Sequence, residues 1–185
     1  CITSEFLGEV AFPVGELVPC ASERSIGKSV EFGGKQWKVV SLAHGVDSHP
    51  DIAIFSAGAG VSKEWAPRFA EVGCRVIDNS SCWRMDPTKK LVVPEINGRV
   101  ITPADMIIAN PNCSTIQMVL AISQLHKRYG IRRLVISTYQ SVTGTGKKAV
   151  DQLSAEERGE ECSRAYTSPI HHNLFPHGGD FLPDG

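Results

Sequence analysis

The sequence predicts an α/β protein built on a parallel β-sheet, and one continuous stretch carries this prediction. Residues 51–55 (DIAIF) form a continuous apolar run, which is typical of a strand buried on both faces. A loop of small residues follows at 56–60, then a helical pattern over 62–72 and a second apolar run at 74–78. Strand, loop, helix and strand in this order are typical of parallel α/β sheets.

The segment before this stretch is predicted to hold one helix and two strands. Residues 1–12 carry apolar side chains at helical spacing, which favours a helix. Residues 17–21 are apolar enough for a short strand, and a polar turn follows at 22–25. Residues 36–40 alternate between apolar and polar side chains after a Gly-Gly pair, which indicates a hairpin or an edge strand.

The helix over residues 62–72 is marked by its apolar face and by its end. Trp65, Phe69 and Val72 fall on one face, and Gly73 stands where a terminating glycine is favoured. The remaining elements predicted before residue 110 are a polar loop and two short strands: 79–87, 91–94 and 106–109.

The C-terminal part is predicted to hold two helices around one strand. A helix starts directly behind Cys113 and ends before Gly130. Residues 131–139 have a strong strand pattern, and a second helix is expected around 149–153. Residues 167–185 contain several prolines and glycines, so we expect irregular chain there.

The composition excludes several classes of function. Of the 185 residues, 42% are hydrophobic and 21% are charged, and the net charge of −1 implies no nucleic-acid surface. No apolar run approaches the ~20 residues that cross a bilayer, so we predict no membrane partner. The six cysteines include no CxxC pair. We therefore predict no metal site, reduced thiols and a cytoplasmic location.

Cys113 is the strongest candidate for a catalytic residue. It lies in the turn at 110–115 (NPNCST), with a long helix predicted directly behind it. The free N–H groups and the positive dipole end of a helix start favour a thiolate over a thiol, as a nucleophilic cysteine requires. The alternative is a small buried hydrophobic residue near a helix cap.

Four loops follow predicted strands and carry groups suited to ligands, which gather at strand carboxyl ends in α/β proteins. Residues 22–25 offer a cation and hydroxyl groups, and 56–60 allow close approach to the backbone. Residues 79–84 offer an arginine whose planar fork suits phosphate, and 140–146 offer an amide and glycines. Taken alone, each loop is more often a surface turn, and no GxGxxG dinucleotide motif follows a first strand.

Seven motifs together resemble aspartate-semialdehyde dehydrogenase. They occur in the order of that family and span the chain from about Phe12 to its end. The motifs are ASERS at 21–25, FSAG at 55–58, VIDNSS at 76–81, WRMD at 83–86, NPNCST at 110–115, STYQSVTGTG at 137–146 and NLFPH at 173–177.

The resemblance implies a role for each candidate residue. Cys113 would form an acyl thioester, and Gln140 would position the substrate near the thiol. Arg84 would bind phosphate, with Asn112 beside it. The implied reaction interconverts L-aspartate 4-semialdehyde plus phosphate with L-4-aspartyl phosphate, on the route to lysine, threonine and methionine. The implied NADP contacts are Ser22, Arg24 and Ser25 at the 2′-phosphate, with Ala57, Gly58, Thr143 and Gly144 along the cofactor.

The resemblance also implies a Rossmann-like NADP-binding domain over residues 1–110 and the start of an α+β catalytic and dimerisation domain over 111–185. In the family, a glycine-rich pyrophosphate loop precedes the matched region and a catalytic histidine follows it. We therefore expect a fragment of a homodimeric enzyme, inactive as an isolated chain. His126 is no substitute base, because thirteen helical residues separate it from Cys113 by about 20 Å.

Three alternatives stay open at the level of sequence. An enzyme of the N-acetyl-glutamyl-phosphate reductase type would form the same kind of thioester, although the WRMD and NPNCST motifs argue against it. A non-catalytic fragment would only fold or pair with a partner. A cysteine hydrolase would need an oriented histidine, which the sequence does not supply.

Overall fold

The computed structural model describes residues 12–176 and divides the chain into two units, with the boundary between Arg132 and Arg133. The helix predicted over residues 1–12 lies outside the described residues except for Phe12. The domain boundary predicted after residue 110 stays a prediction. The described helices and strands are β1 Ser29–Phe32, β2 Lys35–Lys38, α1 Leu42–Asp47, β3 Ile52–Phe55, α2 Ala59–Glu71, β4 Arg75–Asp78, β5 Lys90–Leu91, α3 Pro94–Asn97, β6 Ile107–Ala109, α4 Cys113–Tyr129 and α5 Lys147–Glu157, with 3₁₀ turns at Glu23–Ser25, Gly98–Val100 and Val142–Gly144.

Four parallel strands form the sheet of the first unit, in the order β3-β4-β6-β5. The predicted parallel α/β architecture is therefore confirmed. Helix α2 connects β3 to β4 and covers one face of the sheet, where Phe55, Phe69 and Ile107 belong to a buried core. The rings of Phe55 and Phe69 meet edge to face with their centroids 5.4 Å apart. Trp65 and Val72 pack against the same core, as their spacing predicts.

The opposite face of β3 is largely open to solvent, which corrects the prediction of a strand buried on both faces. Ile52 and Ile54 are 47% and 42% exposed, whereas Phe55 is buried against α2. Strand β3 stands at one edge of the four-stranded sheet. A continuous apolar run indicates that a strand is hydrophobic, but it does not indicate which of its faces other elements cover.

The strands around this sheet match the sequence in part. The predicted hairpin is confirmed by the antiparallel pair β1 and β2. Residues 17–21 form no strand, because only Cys20 pairs, in an isolated parallel bridge with Val40. Strand β5 is shorter than the one predicted at 91–94, since Pro94 starts α3, where its missing N–H costs nothing.

Helix α4 confirms the prediction of a helix that begins at the thiol. It starts at Cys113 and is followed by Gly130, whose φ of 69° suits glycine. The strand predicted over 131–139 is wrong, because these residues form no strand and Val135 is 82% exposed. A strand requires a hydrogen-bonded partner, which local β-propensity does not supply.

Helix α5, the second predicted helix of the C-terminal part, holds the irregular chain that follows it in the second unit. Oε1 of the fully buried Gln152 accepts hydrogen bonds from the backbone N–H of Ala165 and of the next residue, at 2.7 and 2.9 Å. Oε2 of Glu156 accepts from the N–H groups of Ile170 and His171, at 2.6 and 2.9 Å. Two side chains of one helix thus replace the backbone partners that the irregular segment lacks.

Candidate active site

The carboxyl ends of three strands lie side by side in the first unit. In the register of the sheet, Phe55 pairs with Asp78, and Asp78 pairs with Ala109. The chain leaves each of these residues into a loop that carries candidate site residues. The loops at this shared edge are residues 56–58, 79–84 and 110–112.

Arg84 is anchored at this edge by two backbone carbonyl groups. Its Nε donates to the oxygen of Asn110 at 3.0 Å, and its Nη2 donates to the oxygen of Asn79 at 2.9 Å. These two nitrogens form one edge of the planar guanidinium group. Nη1 makes no hydrogen bond within residues 12–176, so the fork between Nη1 and Nη2 is available to a bidentate oxyanion.

A buried hydrogen-bond network supports the loop that carries Arg84. The fully buried carboxylate of Asp78 accepts from the hydroxyl groups of Ser62 and Ser80, each at 2.7 Å, and from the backbone N–H of Ser80 at 2.9 Å. The Ser62 hydroxyl oxygen accepts in turn from Nε1 of Trp83 at 2.9 Å. Because Trp83 directly precedes Arg84, the network fixes the backbone from which the guanidinium group extends.

Cys113 is an exposed free thiol at the first position of α4. The alternative of a buried hydrophobic cysteine is therefore wrong. Asn112 caps the helix, because its Oδ1 accepts from the backbone N–H groups of Ser114 and Thr115 at 3.0 and 3.4 Å. The cap uses the Asn112 oxygen and leaves its Nδ2 as a donor for a ligand.

Three thiols, those of Cys20, Cys74 and Cys82, have raised pKa values. A raised pKa lowers the fraction of each thiol that is ionised near neutral pH. Burial, and then the charge of Asp51, raise the pKa of Cys74 to about 11. Burial raises the pKa of Cys20, and burial followed by the charge of Asp78 raises the pKa of Cys82. The described cysteines are all free thiols.

The implied cofactor residues of the first unit lie on two turns. Ser22 and Arg24 are exposed on a 3₁₀ turn that the backbone hydrogen bond from Ser25 to Ser22 closes at 2.8 Å. Ala57 and Gly58 are exposed directly after β3, and Gly58 has a φ of 90° at the start of α2. A side chain is strained at this φ, so glycine leaves a bare peptide at the helix start.

The remaining implied residues belong to the second unit. Ser141 caps the 3₁₀ turn that holds Thr143 and Gly144, accepting the N–H of Thr143 at 3.5 Å. The side chain of Gln140 folds over Gly144, where an added Cβ would lie 2.6 Å from Cδ of Gln140. Glycine at position 144 therefore permits this placement of the amide.

Asn79 and Asn110 are the site residues that the sequence alone did not identify. They hold Arg84 through backbone carbonyl groups, which every residue carries, so no side-chain signal marks this role. Their side chains are also bonded to each other, with Nδ2 of Asn110 donating to Oδ1 of Asn79 at 2.7 Å.

The described part of the chain offers neither a metal cluster nor a membrane-spanning helix. Between residues 12 and 176, no group of three or more His, Cys, Asp or Glu side chains could hold a metal ion. No helix in that range is long and apolar enough to cross a membrane.

A parallel sheet with candidate ligand loops at its carboxyl edge defines the class of nucleotide-binding α/β domains. Within this class, the family described as semialdehyde dehydrogenase, NAD binding domain matches residues 4–104. The chain belongs to this family.

Comparisons with single proteins agree with the motifs. The chain is 49% identical to the aspartate-semialdehyde dehydrogenase of Aquifex aeolicus (strain VF5), over 97% of this chain and 55% of that protein. The crystal structure of aspartate semialdehyde dehydrogenase II complexed with ASA from Vibrio cholerae matches with a TM-score of 0.92 and 41% identity, covering 100% of this chain and 57% of that chain. The resemblance stated from the sequence is confirmed, and the chain spans about half the length of the curated relatives that it matches.

A more distant structure shares the fold alone. The aspartate semialdehyde dehydrogenase with NADP from Candida albicans matches with a TM-score of 0.55 and 22% identity, over 70% of this chain and 45% of that chain.

Proposed function

We propose that the chain serves in an NADP-dependent, phosphorylating aspartate-semialdehyde dehydrogenase. The proposed reaction interconverts L-aspartate 4-semialdehyde, phosphate and NADP with L-4-aspartyl phosphate and NADPH. Membership of the semialdehyde dehydrogenase family and the similarity to proteins named aspartate-semialdehyde dehydrogenase support the proposal. We extend it to a cytoplasmic homodimer that works in the reductive direction, toward lysine, threonine and methionine.

The arrangement of Arg84 and Cys113 is the observation that carries the proposal. One edge of the Arg84 guanidinium group is held by two carbonyl groups, and the other edge is open to two oxygens of a phosphate ion. One of those carbonyl groups belongs to Asn110, three residues before Cys113. Three residues span at most about 11 Å, so the Cα atoms of Asn110 and Cys113 lie within that distance, and we propose that the anion site and the thiol form one site.

The thiol of Cys113 supplies the nucleophile. Its thiolate attacks the aldehyde carbon, and the helix start behind it stabilises negative charge at this position. NADP, when bound, supplies the hydride acceptor that turns the adduct into a thioester. A phosphate oxygen held by Arg84 then attacks the thioester carbon, the C–S bond breaks, and the Cys113 thiolate leaves with aspartyl phosphate as the product. Nδ2 of Asn112 and the amide of Gln140 are the proposed substrate contacts.

The residues implied for the cofactor fit an anionic nucleotide. Arg24 and Ser22 are both exposed on the same 3₁₀ turn, and a cation and a hydroxyl group there suit a 2′-phosphate and so favour NADP. The bare peptide at Gly58 allows a ligand to approach the carboxyl end of β3. Ser25, Ala57, Thr143 and Gly144 complete the proposed contacts with NADP.

The test is NADPH formation by a chimera in which the Aquifex aeolicus relative supplies the segments that flank this chain. We expect NADPH formation from L-aspartate 4-semialdehyde to require phosphate and to be lost in Cys113→Ser. Cys82→Ser is the matched control and should keep its activity. Activity that survives Cys113→Ser, or that proceeds equally without phosphate, would contradict the proposal. A preference for N-acetyl-glutamate 5-semialdehyde would favour the alternative reductase.

A further inference from the structure

We propose that the side chains of Asn79 and Asn110 form a clamp that positions Arg84 for its anion. Both are positioning residues, because they act on the guanidinium group and have no assigned contact with substrate. The inference rests on the proposed function to the extent that Arg84 binds phosphate.

The clamp lies where the hydrogen-bonded pairing of β4 with β6 ends. The backbone N–H of Asn110 donates to the oxygen of Asp78 at 2.8 Å, directly after the last paired residues of the two strands. Beyond that bond the segments that follow β4 and β6 continue as separate loops. The hydrogen bond from Nδ2 of Asn110 to Oδ1 of Asn79, at 2.7 Å, holds the loops together one step further.

Both residues that share this bond also present a carbonyl group to Arg84. The oxygen of Asn110 accepts from Nε and the oxygen of Asn79 accepts from Nη2. Nε and Nη2 belong to the same rigid guanidinium plane. The two carbonyl oxygens that accept from them lie on separate loops, so they orient this plane only if the distance between them is fixed. The amide–amide bond is the direct link between the two acceptor residues.

A third strand contributes to the same arrangement. The backbone N–H of Asn79 donates to the oxygen of Phe55 at 2.9 Å, so the clamp is tied to the end of β3 as well. Both asparagine side chains are half-buried. Partial burial limits competition from water for the amide–amide bond.

A double-mutant cycle at Asn79 and Asn110 separates an effect on the position of Arg84 from an effect on the stability of the fold. Asn79→Ala and Asn110→Ala each remove the amide–amide bond and keep both carbonyl groups that accept from Arg84. We measure hydrogen exchange of the Arg84 Nε–H by NMR in the free chain, and the dissociation constant of inorganic phosphate by titration. Asn97→Ala is the matched control, because within residues 12–176 the Asn97 amide bonds only to backbone groups of Val93 and Leu91.

We expect each single substitution to raise the exchange rate of the Nε–H and to weaken phosphate binding by about tenfold. The double variant should match the single variants, because the same bond is lost in all three. Asn79→Asp keeps an acceptor for Nδ2 of Asn110, so it should restore slow Nε–H exchange. Asn97→Ala should lower the unfolding midpoint and leave both Arg84 measurements at their wild-type values.

Two results would overturn the clamp: wild-type exchange and affinity in both single variants, or effects that multiply in the double variant. Absence of phosphate binding in the wild-type chain would count against the proposed function instead. Exchange of the Nε–H would still decide the clamp in that case, because it is measured without phosphate.

Discussion

The Nε of Arg84 donates a hydrogen bond of 3.0 Å to the carbonyl oxygen of Asn110. This bond joins the loop after β4 to the loop that leads into α4 and the exposed thiol. The Arg84 guanidinium group is thereby tied to the segment that leads to a thiol at a helix start, although Arg84 and Cys113 are far apart in sequence. Such a pair suits a reaction in which a thioester is cleaved by phosphate.

Alkylation should distinguish Cys113 from the other described thiols. We expect iodoacetamide at pH 7 to modify Cys113 first, because it is exposed, and Cys74 last. Burial raises the pKa of Cys74 to about 11, which leaves about one thiolate in ten thousand at pH 7. Peptide mass spectrometry over time measures the rates, and equal rates at the five described cysteines would contradict this prediction.

Ser62→Ala should destabilise the fold through the network at Asp78. The substitution removes a donor to the buried carboxylate and leaves Nε1 of Trp83 without its acceptor. A buried polar group that loses its partner costs about 1–3 kcal/mol, which denaturant unfolding can measure. Ser123→Ala is the control, since the described hydrogen bond of that exposed hydroxyl goes to Leu120 in the same helix. A similar loss in both variants would refute the role of the network.

Gly45→Ala should destabilise the packing of α1 on the core. An added Cβ would lie 3.1 Å from Cζ of the buried Phe69 and 2.5 Å from Sγ of Cys20. Overpacking of this kind costs about 1–3 kcal/mol of the free energy of unfolding.

Gly60→Ala is the matched control for this prediction. It also lies in a helix, but a Cβ there would meet no atom of the described residues within 4 Å. We expect it to leave stability unchanged or to raise it by up to about 1 kcal/mol. Equal stability of the two variants in thermal or denaturant unfolding would show that α1 has room to move.

The irregular segment of the second unit should loosen in acid. Hydrogen bonds from the Gln152 amide, and then from the backbone N–H groups of His171 and Ile170, hold the pKa of Glu156 below its ordinary value of 4.5. A lowered pKa in the folded state stabilises the fold above the ordinary value, and the stabilisation is lost as the pH falls through the folded value.

NMR shifts of the Ile170 and His171 amides measure this transition. We expect a step below pH 4.5 in the wild-type chain and none in Glu156→Gln. Glu157→Gln should keep the step, because the backbone N–H groups of Ile170 and His171 donate to the carboxylate of Glu156 and not to that of Glu157. A step at or above pH 4.5 would contradict the account.

Helix ends that single residues determine can be predicted from the sequence. The start of α4 was predicted from the turn at Cys113 and its end from Gly130, because capping and positive φ are encoded by single residues. The strand over 131–139 was predicted wrongly, since pairing depends on a partner that local propensity does not specify.

The candidate site divides in the same way. Arg84 and Cys113 are marked by side-chain chemistry, so the sequence alone makes them candidates for the site. The carbonyl groups of Asn79 and Asn110 that orient Arg84 carry no such mark, because their role follows from the register of β4 and β6. The pairing of strands far apart in sequence therefore identifies the backbone groups at Arg84, which the motifs do not mark.

We propose that Arg84 and Cys113 belong to one site, and protection of the thiol by phosphate tests this most directly. The measurement is the rate of Cys113 alkylation with inorganic phosphate, compared with potassium chloride at equal ionic strength. Arg84→Lys is the test variant, because lysine keeps the charge and lacks the fork. Arg68→Lys, on the exposed side of α2, is the matched control.

We expect phosphate to slow alkylation of Cys113 severalfold in the wild-type chain and in Arg68→Lys, and to leave the rate in Arg84→Lys nearly unchanged. The rate at Cys162 should not depend on phosphate in any variant. An unchanged Cys113 rate in the wild-type chain, or equal protection in Arg84→Lys, would contradict the account.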